Sequence, residues 1–294
     1  MAEEVRDLEW LRRQLIIALA ADDELFELLV FKGGNALALA HGVGMRTSLD
    51  LDYSLAHEAS SDAALGARLQ AALSTHLSKH GLTVFDWTFG PRPKEPKDER
   101  AFTWGGYQGE FKVIETKRWK SLAGNLELAR KQAWGITASG GASRKFTIEL
   151  SKSEYTEGAG EVDVDGFTVR VYTPSMIVAE KLRSLCQQMP EYEHSTKRKP
   201  RARDFYDIHA AVTETGVNLS SWTGHDLIRS VFAAKDVPLR LLASLERDVG
   251  FHEAEWDDVR DSIPADRPAE FSYYSEFVLR IVRRLEPLWD VELP

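Results

Sequence analysis

The sequence predicts an α+β fold, with a mixed sheet and flanking helices in its first part and a mainly helical C-terminal part. Up to about residue 172, short stretches rich in β-branched and aromatic residues alternate with turn residues and with helical segments. From Thr173 onward, the apolar residues recur every three to four positions, which is typical of helices. We therefore expect two domains, over residues 1–172 and 173–294, the second of them helical.

The elements of the first domain follow from the period of the apolar residues and from capping and turn residues. The first half of this domain is predicted to contain a helix over 3–22, a strand over Phe26–Phe31, a helix over Asn35–His41, a strand over Ser48–Leu55 and a helix from the Ser60-Ser61-Asp62 cap to Lys79. A strand over Leu82–Phe89, a Pro-rich loop over 90–100, a hairpin within Phe102–Lys117, a helix over Leu122–Trp134 and a strand over Lys145–Ser151 are predicted to follow. Asp165-Gly166 then predicts a tight hairpin turn between two further strands. The second domain begins with a helix entered through Thr173-Pro174-Ser175.

The composition excludes several classes of protein. A single cysteine, Cys186, excludes internal disulfides and zinc sites built from several cysteines, and it suits a reducing cytoplasm. No uncharged apolar run approaches the roughly 20 residues that span a bilayer, and the acidic N-terminus does not resemble a secretory signal. We therefore expect a cytoplasmic protein that does not enter membranes. The net charge of −9 disfavours indiscriminate binding to nucleic acid but is compatible with a local basic patch.

Two aspartates, Asp50 and Asp52, are the first candidates for chemistry. At positions i and i+2 of a strand, both carboxylates project from the same face, while Leu51 and Tyr53 point into the core. Like charges held side by side repel each other, so a partly buried pair of this kind needs a cation, usually Mg²⁺, which takes oxygen ligands. The pair therefore predicts a metal site, and an exposed Asp pair on an edge strand is the alternative.

Two glycines, Gly33 and Gly34, precede the predicted helix 35–41. Bare backbone N–H groups at a helix N-terminus can hold a phosphate without a clash from a Cβ atom. The motif is not a Walker A sequence, because Lys32 comes before the glycines, and no Gly-x-Ser-x-Gly nucleophile motif is present in the sequence. A phosphate-binding loop followed by a two-carboxylate metal site indicates phosphoryl or nucleotidyl transfer. A simple glycine turn before a core helix is the alternative.

These motifs resemble those of the AbiEii/AbiGii-type nucleotidyltransferase toxins, which belong to the DNA polymerase β-like superfamily. The resemblance lies in Lys-Gly-Gly-Asn at 32–35, in Arg46-x-Ser48-x-Asp50-x-Asp52, and in Arg-Asp-Phe-Tyr-Asp at 203–207. It covers residues 30–55 and 173–208. The chain departs from the superfamily pattern at Gly34, where a serine is usual, and in the 15 residues that separate Gly34 from Asp50.

The resemblance implies a fold and a set of functional residues. It implies a nucleotidyltransferase-type mixed sheet in 1–172 and a helical domain, 173–294, that completes the active site. Asp50 and Asp52 would bind the metal and act in catalysis. The other implied residues are Gly33, Gly34 and Ser48 around the phosphates, Lys32 and Arg46 as neutralising cations, Lys181 on the triphosphate, and Asp204 and Asp207 in the active-site wall. Lys181 could instead be a solvated helix residue, and Asp204 could simply cap its helix.

Glu149 is a candidate for a third carboxylate. It lies centrally in the predicted strand 145–151, between Ile148 and Leu150, which face the other side of the strand. In the resembling superfamily, an acidic residue on a neighbouring strand helps to deprotonate the acceptor hydroxyl. An exposed strand glutamate with no such role is the alternative.

Two basic regions are candidates for binding a polyanion. Residues 197–203 contain five lysines and arginines in seven positions, and residues 111–134 interleave basic with aromatic residues. Aromatic rings beside cations can stack on unpaired nucleotides. A solvated loop in the first case and core aromatics in the second are the alternatives.

The resemblance implies Mg²⁺-dependent transfer of a nucleoside monophosphate from an NTP to RNA, with the 3′ end of tRNA as the expected acceptor. The chain would then be the toxin of a toxin–antitoxin or abortive-infection system, with a cognate antitoxin protein as a possible partner. A nucleotidyltransferase acting on a small molecule and a non-catalytic module that binds nucleotides or a partner are the alternative functions.

Overall fold

The computed structural model describes residues 2–43, 50–94, 105–138, 141–192, 194, 197–263 and 268–293. The chain forms two compact units, each built from segments that are not contiguous in sequence. The sheet unit contains Met1–Lys32, Ser48–Ser153 and Glu161–Val171, and the helical unit contains Gly33–Thr47, Glu154–Gly160 and Tyr172–Pro294.

In the part of the sheet unit that the structure describes, the chain is built around one mixed sheet of seven strands. Its strands are β1 (Leu29–Lys32), β2 (Asp50–Leu55), β3 (Leu82–Arg92), β4 (Gly106–Glu115), β7 (Phe146–Ser151), β8 (Gly160–Val164) and β9 (Phe167–Val171), in the order β3-β4-β7-β2-β1-β9-β8. β2 is parallel to β7 and antiparallel to β1, β1 is parallel to β9, and β4 is antiparallel to both β3 and β7. Two short strands, β5 (Ile136–Ala138) and β6 (Gly141–Ser143), form a separate hairpin. The mixed sheet confirms the predicted α+β class.

At the two central strands β2 and β7, one face of the sheet is apolar and the other is polar. On β2, Leu51 and Tyr53 are buried, and on the neighbouring β7 so are Ile148 and Leu150. The long helices α1 (Ala2–Ala20) and α4 (Asp62–Lys79) pack against each other, and they also contact β9 and β3, respectively. The side chains at alternate positions of β2 and β7 point to the opposite face, which leaves that face free for polar residues.

The predicted strand Phe26–Phe31 is wrong in its first half. Residues 23–28 form a short helix, α2 (Asp23–Leu28), and the strand begins only at Leu29. The Asp22 side chain accepts a hydrogen bond from the Leu25 N–H at 3.0 Å, and the acidic residues Asp23 and Glu24 occupy the first turn, where the helix dipole favours negative charge. The Asp22 N-cap and the acidic first turn thus favour a helix here, although the apolar residues of the segment predicted a strand.

The predicted hairpin within 102–117 is also wrong. Residues 106–115 form the single strand β4, whose hairpin partner is β3, while residues 102–104 lie outside the described residues. Gly106 does not make a turn: a Cβ atom there would lie 1.9 Å from the carbonyl oxygen of Leu150. The glycine permits close approach of the neighbouring strand β7.

Two further boundaries differ from the prediction. Strand β3 continues to Arg92, so the predicted loop over 90–100 begins later; its residues 95–100 lie outside the described residues. The helix predicted over 122–134 is shorter, α6 (Leu126–Gln132), and a separate short helix, α5 (Thr116–Ser121), precedes the predicted range. Ala123 and Gly124 adopt positive φ angles of 46° and 83°, which a helix cannot accommodate.

Several local predictions are confirmed. Asp165 and Gly166 have φ angles of 52° and 86°, as a two-residue turn between β8 and β9 requires. The strand over 48–55 is described from Asp50 onward, and the helix predicted over 35–41 begins two residues earlier, as α3 (Gly33–His41).

Among its described residues, the helical unit contains α3 and six helices of the C-terminal part. These are α7 (Pro174–Cys186), α8 (Ala202–Thr215), α9 (Trp222–Ala233), α10 (Leu245–Glu253), α11 (Trp256–Asp261) and α12 (Phe271–Arg284), with 3-10 turns at Leu239–Ser244 and Glu286–Leu288. α7 packs against α8 and α9, and α8 also packs against α12. Among the helices described, none is long and apolar enough to cross a membrane.

Candidate active site

The polar face of the sheet brings together three of the predicted carboxylates. Asp52 of β2 lies directly opposite Glu149 in the parallel register with β7 and opposite Lys32 in the antiparallel register with β1. Residues opposite each other on neighbouring strands, which run about 4.8 Å apart, direct their side chains to the same face. Asp50 is exposed, whereas Asp52 is half-buried. The sheet register therefore places Glu149 beside the Asp pair.

Glu149 has a partner that the sequence did not reveal. The guanidinium of Arg92, at the end of β3, donates a hydrogen bond to its carboxylate, with an Nη1–Oε1 distance of 2.6 Å. The two side chains are 53% and 42% exposed, so this ion pair contributes little to stability. Arg92 was missed because it fell in a predicted loop, and only the length of β3 and its register with β4 place it on this face.

The predicted phosphate-binding segment forms a helix N-terminus. Gly33 and Gly34 are the first two residues of α3, and Gly33 has a φ angle of 75°, a conformation that favours glycine. The first N–H groups of a helix have no acceptor within the helix, which makes them suitable for an anion. Lys32 is a buried residue at the end of β1. The predicted site residues Arg46 and Ser48 lie outside the described residues.

The donor set on this face fits a magnesium ion that is shared with a substrate. Asp50 and Asp52 offer carboxylate oxygens from one side of a single strand. Within the described ranges, no group of three or more His, Cys, Asp or Glu residues is arranged to hold a metal ion. Mg²⁺ is usually bound by one or two protein carboxylates together with substrate phosphates, so two aspartates are a sufficient protein contribution.

The helical unit contains a second cluster of predicted site residues. The Lys181 ammonium on α7 lies 2.8 Å from Oδ1 of Asp204 and 2.7 Å from Oδ2 of Asp207, both on α8. All three side chains are at least 92% buried. Nε of Arg201 donates a further hydrogen bond to Asp204. The predicted lysine is thus held by both predicted aspartates.

The local sequence explains how this cluster forms. Thr173 caps α7 by accepting the N–H of Met176 at 3.3 Å, which fixes the helix that carries Lys181. Asp204 and Asp207 are three residues apart, so they share one face of α8 near its N-terminus, where negative charge is favoured. Burial alone would raise the pKa of the Asp204 carboxyl, but the positive charges of Arg201 and Lys181 outweigh it and hold that pKa well below its usual range.

A buried polar network behind this cluster was not predicted. Nδ1 of His252 on α10 accepts the backbone N–H of Arg201 at 3.1 Å, and its Nε2 lies 3.6 Å from a carboxylate oxygen of Asp248. Arg198 donates a hydrogen bond to the other oxygen of Asp248. Burial lowers the pKa of His252 to about 4, so the imidazole is neutral near pH 7. No sequence motif marks these residues, because they meet only through the packing of α10.

The two basic regions also have a clearer role in the structure. Arg198 and Arg201 of the first region make specific ion pairs, so that region is not simply a solvated loop. In the second region, Phe111 is fully buried and Trp119 packs against a small core around Phe85. These two aromatic residues therefore pack in the core, which is the alternative stated for this region.

A mixed sheet with neighbouring carboxylates on one face is the arrangement expected of a nucleotidyltransferase. The chain belongs to the family described as "Nucleotidyl transferase AbiEii toxin, Type IV TA system", whose family model matches residues 17–280. It is therefore a nucleotidyltransferase toxin of a type IV toxin–antitoxin system, and the family implies a nucleotide substrate and an antitoxin partner. The predicted family and enzyme class are confirmed.

A search of solved structures found similarity to an antigenic nucleotidyltransferase-like protein from Paracoccidioides brasiliensis. The two chains are 16% identical with a TM-score of 0.36, and the match covers 86% of this chain and 94% of the other. A search of curated proteins found no match.

Proposed function

We propose that this toxin transfers a nucleoside monophosphate from an NTP to a hydroxyl group of RNA, in a reaction that depends on Mg²⁺ and releases pyrophosphate. The observation that supports this proposal most directly is the shared face of Asp50, Asp52 and Glu149, which lie at neighbouring positions of two paired strands. The 3′ end of tRNA is the acceptor that we propose. NTPs and tRNA meet in the cytoplasm, where transfer of this kind would cause growth arrest or abort a phage infection.

Each residue of the polar face has a proposed part in the reaction. Asp50 and Asp52 would hold Mg²⁺, which neutralises charge on the phosphate oxygens when bound. The acceptor hydroxyl oxygen forms a bond to the α-phosphorus while the bond from that phosphorus to the β-phosphate oxygen breaks. Pyrophosphate leaves, and the hydroxyl proton passes to the Glu149 carboxylate. To accept the proton, the Glu149 carboxylate must give up its ion pair with Arg92. Breaking an exposed ion pair of this kind costs little free energy.

Phosphate binding involves backbone groups and cations. Gly33 and Gly34 offer N–H groups at the start of α3, and we assign Ser48 to the same task. Lys32 and Arg46 would neutralise the triphosphate.

Lys181, Asp204 and Asp207 are proposed to be required for transfer as one network. The Lys181 ammonium is held by both carboxylates. To bind a phosphate, the ammonium would have to replace its contact with one of these carboxylates by a contact with the phosphate.

The reaction is tested by incubating the purified protein and Mg²⁺ with each α-³²P-labelled NTP and total tRNA. Asp52→Asn removes a proposed metal ligand, and Glu161→Gln is the matched control, because Glu161 is an exposed strand carboxylate elsewhere in the sheet unit. We expect label on tRNA with the wild type and the control, and a loss of at least about 100-fold in Asp52→Asn. EDTA should abolish the reaction, and Mg²⁺ should restore it.

Other outcomes would redirect the proposal. Label on a small hydroxyl compound, with none on RNA, would indicate a small-molecule nucleotidyltransferase and refute the RNA acceptor. Full activity in Asp52→Asn would refute the assignment of the carboxylate face as the catalytic site.

A further inference from the structure

Helix α12 exposes a line of aromatic and cationic side chains. Tyr273, Phe277, Arg280 and Arg284 recur at positions i, i+4, i+7 and i+11, so they lie along one side of the helix. Tyr273 is 51% exposed, Phe277 is half-buried, and both arginines are exposed. The core is formed by a different side of the helix, which carries the buried residues Phe271, Tyr274, Ser275, Val278, Leu279 and Val282. The rings of Tyr273 and Phe277 therefore lie outside the core-facing side of the helix.

His209 of helix α8 holds these rings in place. Its Nε2 atom lies 3.2 Å from the Tyr273 hydroxyl oxygen, and its ring centroid lies 5.1 Å from that of Tyr273 and 4.7 Å from that of Phe277. The Arg280 guanidinium lies 5.5 Å from the Phe277 ring, within the range of a cation–π contact. We call His209, Tyr273, Phe277, Arg280 and Arg284 the aromatic strip. Side chains that are already held by mutual contacts lose little conformational entropy when a ligand binds.

We propose that the aromatic strip binds a single-stranded segment of the RNA acceptor, an inference that rests on the proposed function. Bases stack on exposed rings, and arginines contact the phosphates or stack on the bases. With a rise of 1.5 Å per residue, Tyr273 and Phe277 are about 6 Å apart along the helix, and the strip is about 16 Å long. It can therefore contact several consecutive nucleotides.

The charges around the strip favour RNA over a protein partner. Arg280 and Arg284 extend the line of rings with positive charge, as a phosphate backbone requires. Glu276 of α12 is exposed beside this line, and the charge of Glu214 acts on His209. Both carboxylates would repel phosphates that leave the strip, so they restrict the path of a bound strand.

The test is binding of a fluorescently labelled single-stranded RNA of about 12 nucleotides to the full chain, followed by fluorescence anisotropy over a range of salt concentrations. Tyr273→Ala should weaken binding about tenfold, because it removes one stacking ring. Its salt dependence should equal that of the wild type. Arg280→Ala should weaken binding and lower the slope of log K against log salt by about 0.7.

Arg283→Ala is the matched control. Arg283 lies on the same helix about 80° to 100° around the axis from Tyr273 and Arg284 and pairs with Glu246 at 2.9 Å. Removing it deletes the same charge outside the strip, so we expect a change of less than about twofold. Equal losses in Arg283→Ala and Tyr273→Ala, or wild-type affinity in Tyr273→Ala, would overturn the inference. Normal RNA binding by the strip variants with lost antitoxin binding would assign the strip to a protein and refute the RNA proposal.

Transfer kinetics separate this inference from the proposed function. If both hold, Tyr273→Ala should raise KM for RNA while kcat and KM for the NTP remain as in the wild type. If the wild type transfers nucleotides to RNA but Tyr273→Ala changes neither KM nor affinity for RNA, the strip inference fails and the proposed function stands. If no RNA is labelled but binding depends on Tyr273 as described, the strip is an RNA-binding surface and the proposed reaction fails.

Discussion

Replacing Lys181 with methionine should strongly destabilise the helical unit. The substitution keeps the length of the side chain but removes an ammonium that lies 2.8 Å and 2.7 Å from two carboxylates. Asp204 would retain Arg201 as a partner, while the charge of Asp207 would lose this buried cation. Removing one partner of a buried ion pair costs about 3–5 kcal/mol, because the remaining charge is left in a poorly solvating environment. We expect a loss in this range in the free energy of unfolding at pH 7.

The assay is urea unfolding followed by circular dichroism, with Lys145→Met as the matched control. Nζ of Lys145 lies 2.7 Å from a carboxylate oxygen of Glu110, almost the same separation, but the two side chains are 48% and 31% exposed. The control should therefore lose less than about 1 kcal/mol. A second variant, Lys181→Met with Asp207→Asn, should recover part of the loss, because it also removes the buried charge that Lys181 contacts. Similar losses of less than 1 kcal/mol in Lys181→Met and Lys145→Met would refute the reasoning.

The cluster of Lys181, Asp204 and Asp207 should also make the free energy of unfolding depend on pH in acid. The pKa of Asp204 is lowered in the folded state, so the unfolded chain binds its proton at a higher pH than the folded chain does. This group therefore stabilises the fold above its usual pKa of about 4, and that contribution is lost as the pH falls toward its folded pKa. Lys181→Met removes one of the charges that lower the pKa of Asp204. The free energy of unfolding of this variant should therefore depend less steeply on pH below about 4 than that of the wild type.

Three further predictions concern other parts of the chain. Glu149→Gln should lower kcat by about 100-fold if Glu149 accepts the proton of the acceptor, and wild-type kcat in this variant would exclude Glu149 as the base. Arg92→Ala should change the free energy of unfolding by less than about 1 kcal/mol, because its ion pair with Glu149 is exposed. His252 has a pKa of about 4 in the folded state against 6.5 in the unfolded chain, so acidification from pH 6.5 to 4 should reduce stability, by about 3 kcal/mol at most, and this dependence should disappear in His252→Asn. Gly106→Ala should cost about 1–3 kcal/mol or prevent folding, since its Cβ would clash with a neighbouring strand, while Gly90→Ala, which meets open space, should change Tm little.

The carboxylate pair could be predicted from sequence because strand alternation is a local property. Asp50 and Asp52 project from one face of β2 whatever strand lies beside it. That Glu149 lies opposite Asp52, by contrast, depends on parallel pairing between strands that are far apart in the chain. Superfamily resemblance suggested this neighbour, but no local pattern in the residues specifies it. Arg92 was missed for the same reason, because its position depends on how far β3 pairs with β4.

The helical unit shows a different limit of sequence reasoning. Lys181, Asp204 and Asp207 were identified as site residues, but their direct bonds to one another depend on the packing of α7 against α8. His252 carried no signal at all, because a histidine within an ordinary amphipathic helix does not show which backbone group it will meet. These polar residues contact one another, or a backbone group, only because tertiary packing brings their helices together, and local sequence does not specify that packing.

The central position of β2 also has a consequence for how the chain is made. Its antiparallel neighbour β1 is about 20 residues upstream of Asp52, but its parallel neighbour supplies Glu149 about 97 residues downstream. Closing the longer loop costs about 1.4 kcal/mol more in chain entropy. A ribosome adding about 5–20 residues per second would synthesise Asp52 roughly 5–20 seconds before Glu149. During that interval the growing chain carries Asp50 and Asp52 without Glu149, so the three carboxylates cannot share one face until the later strand has been made.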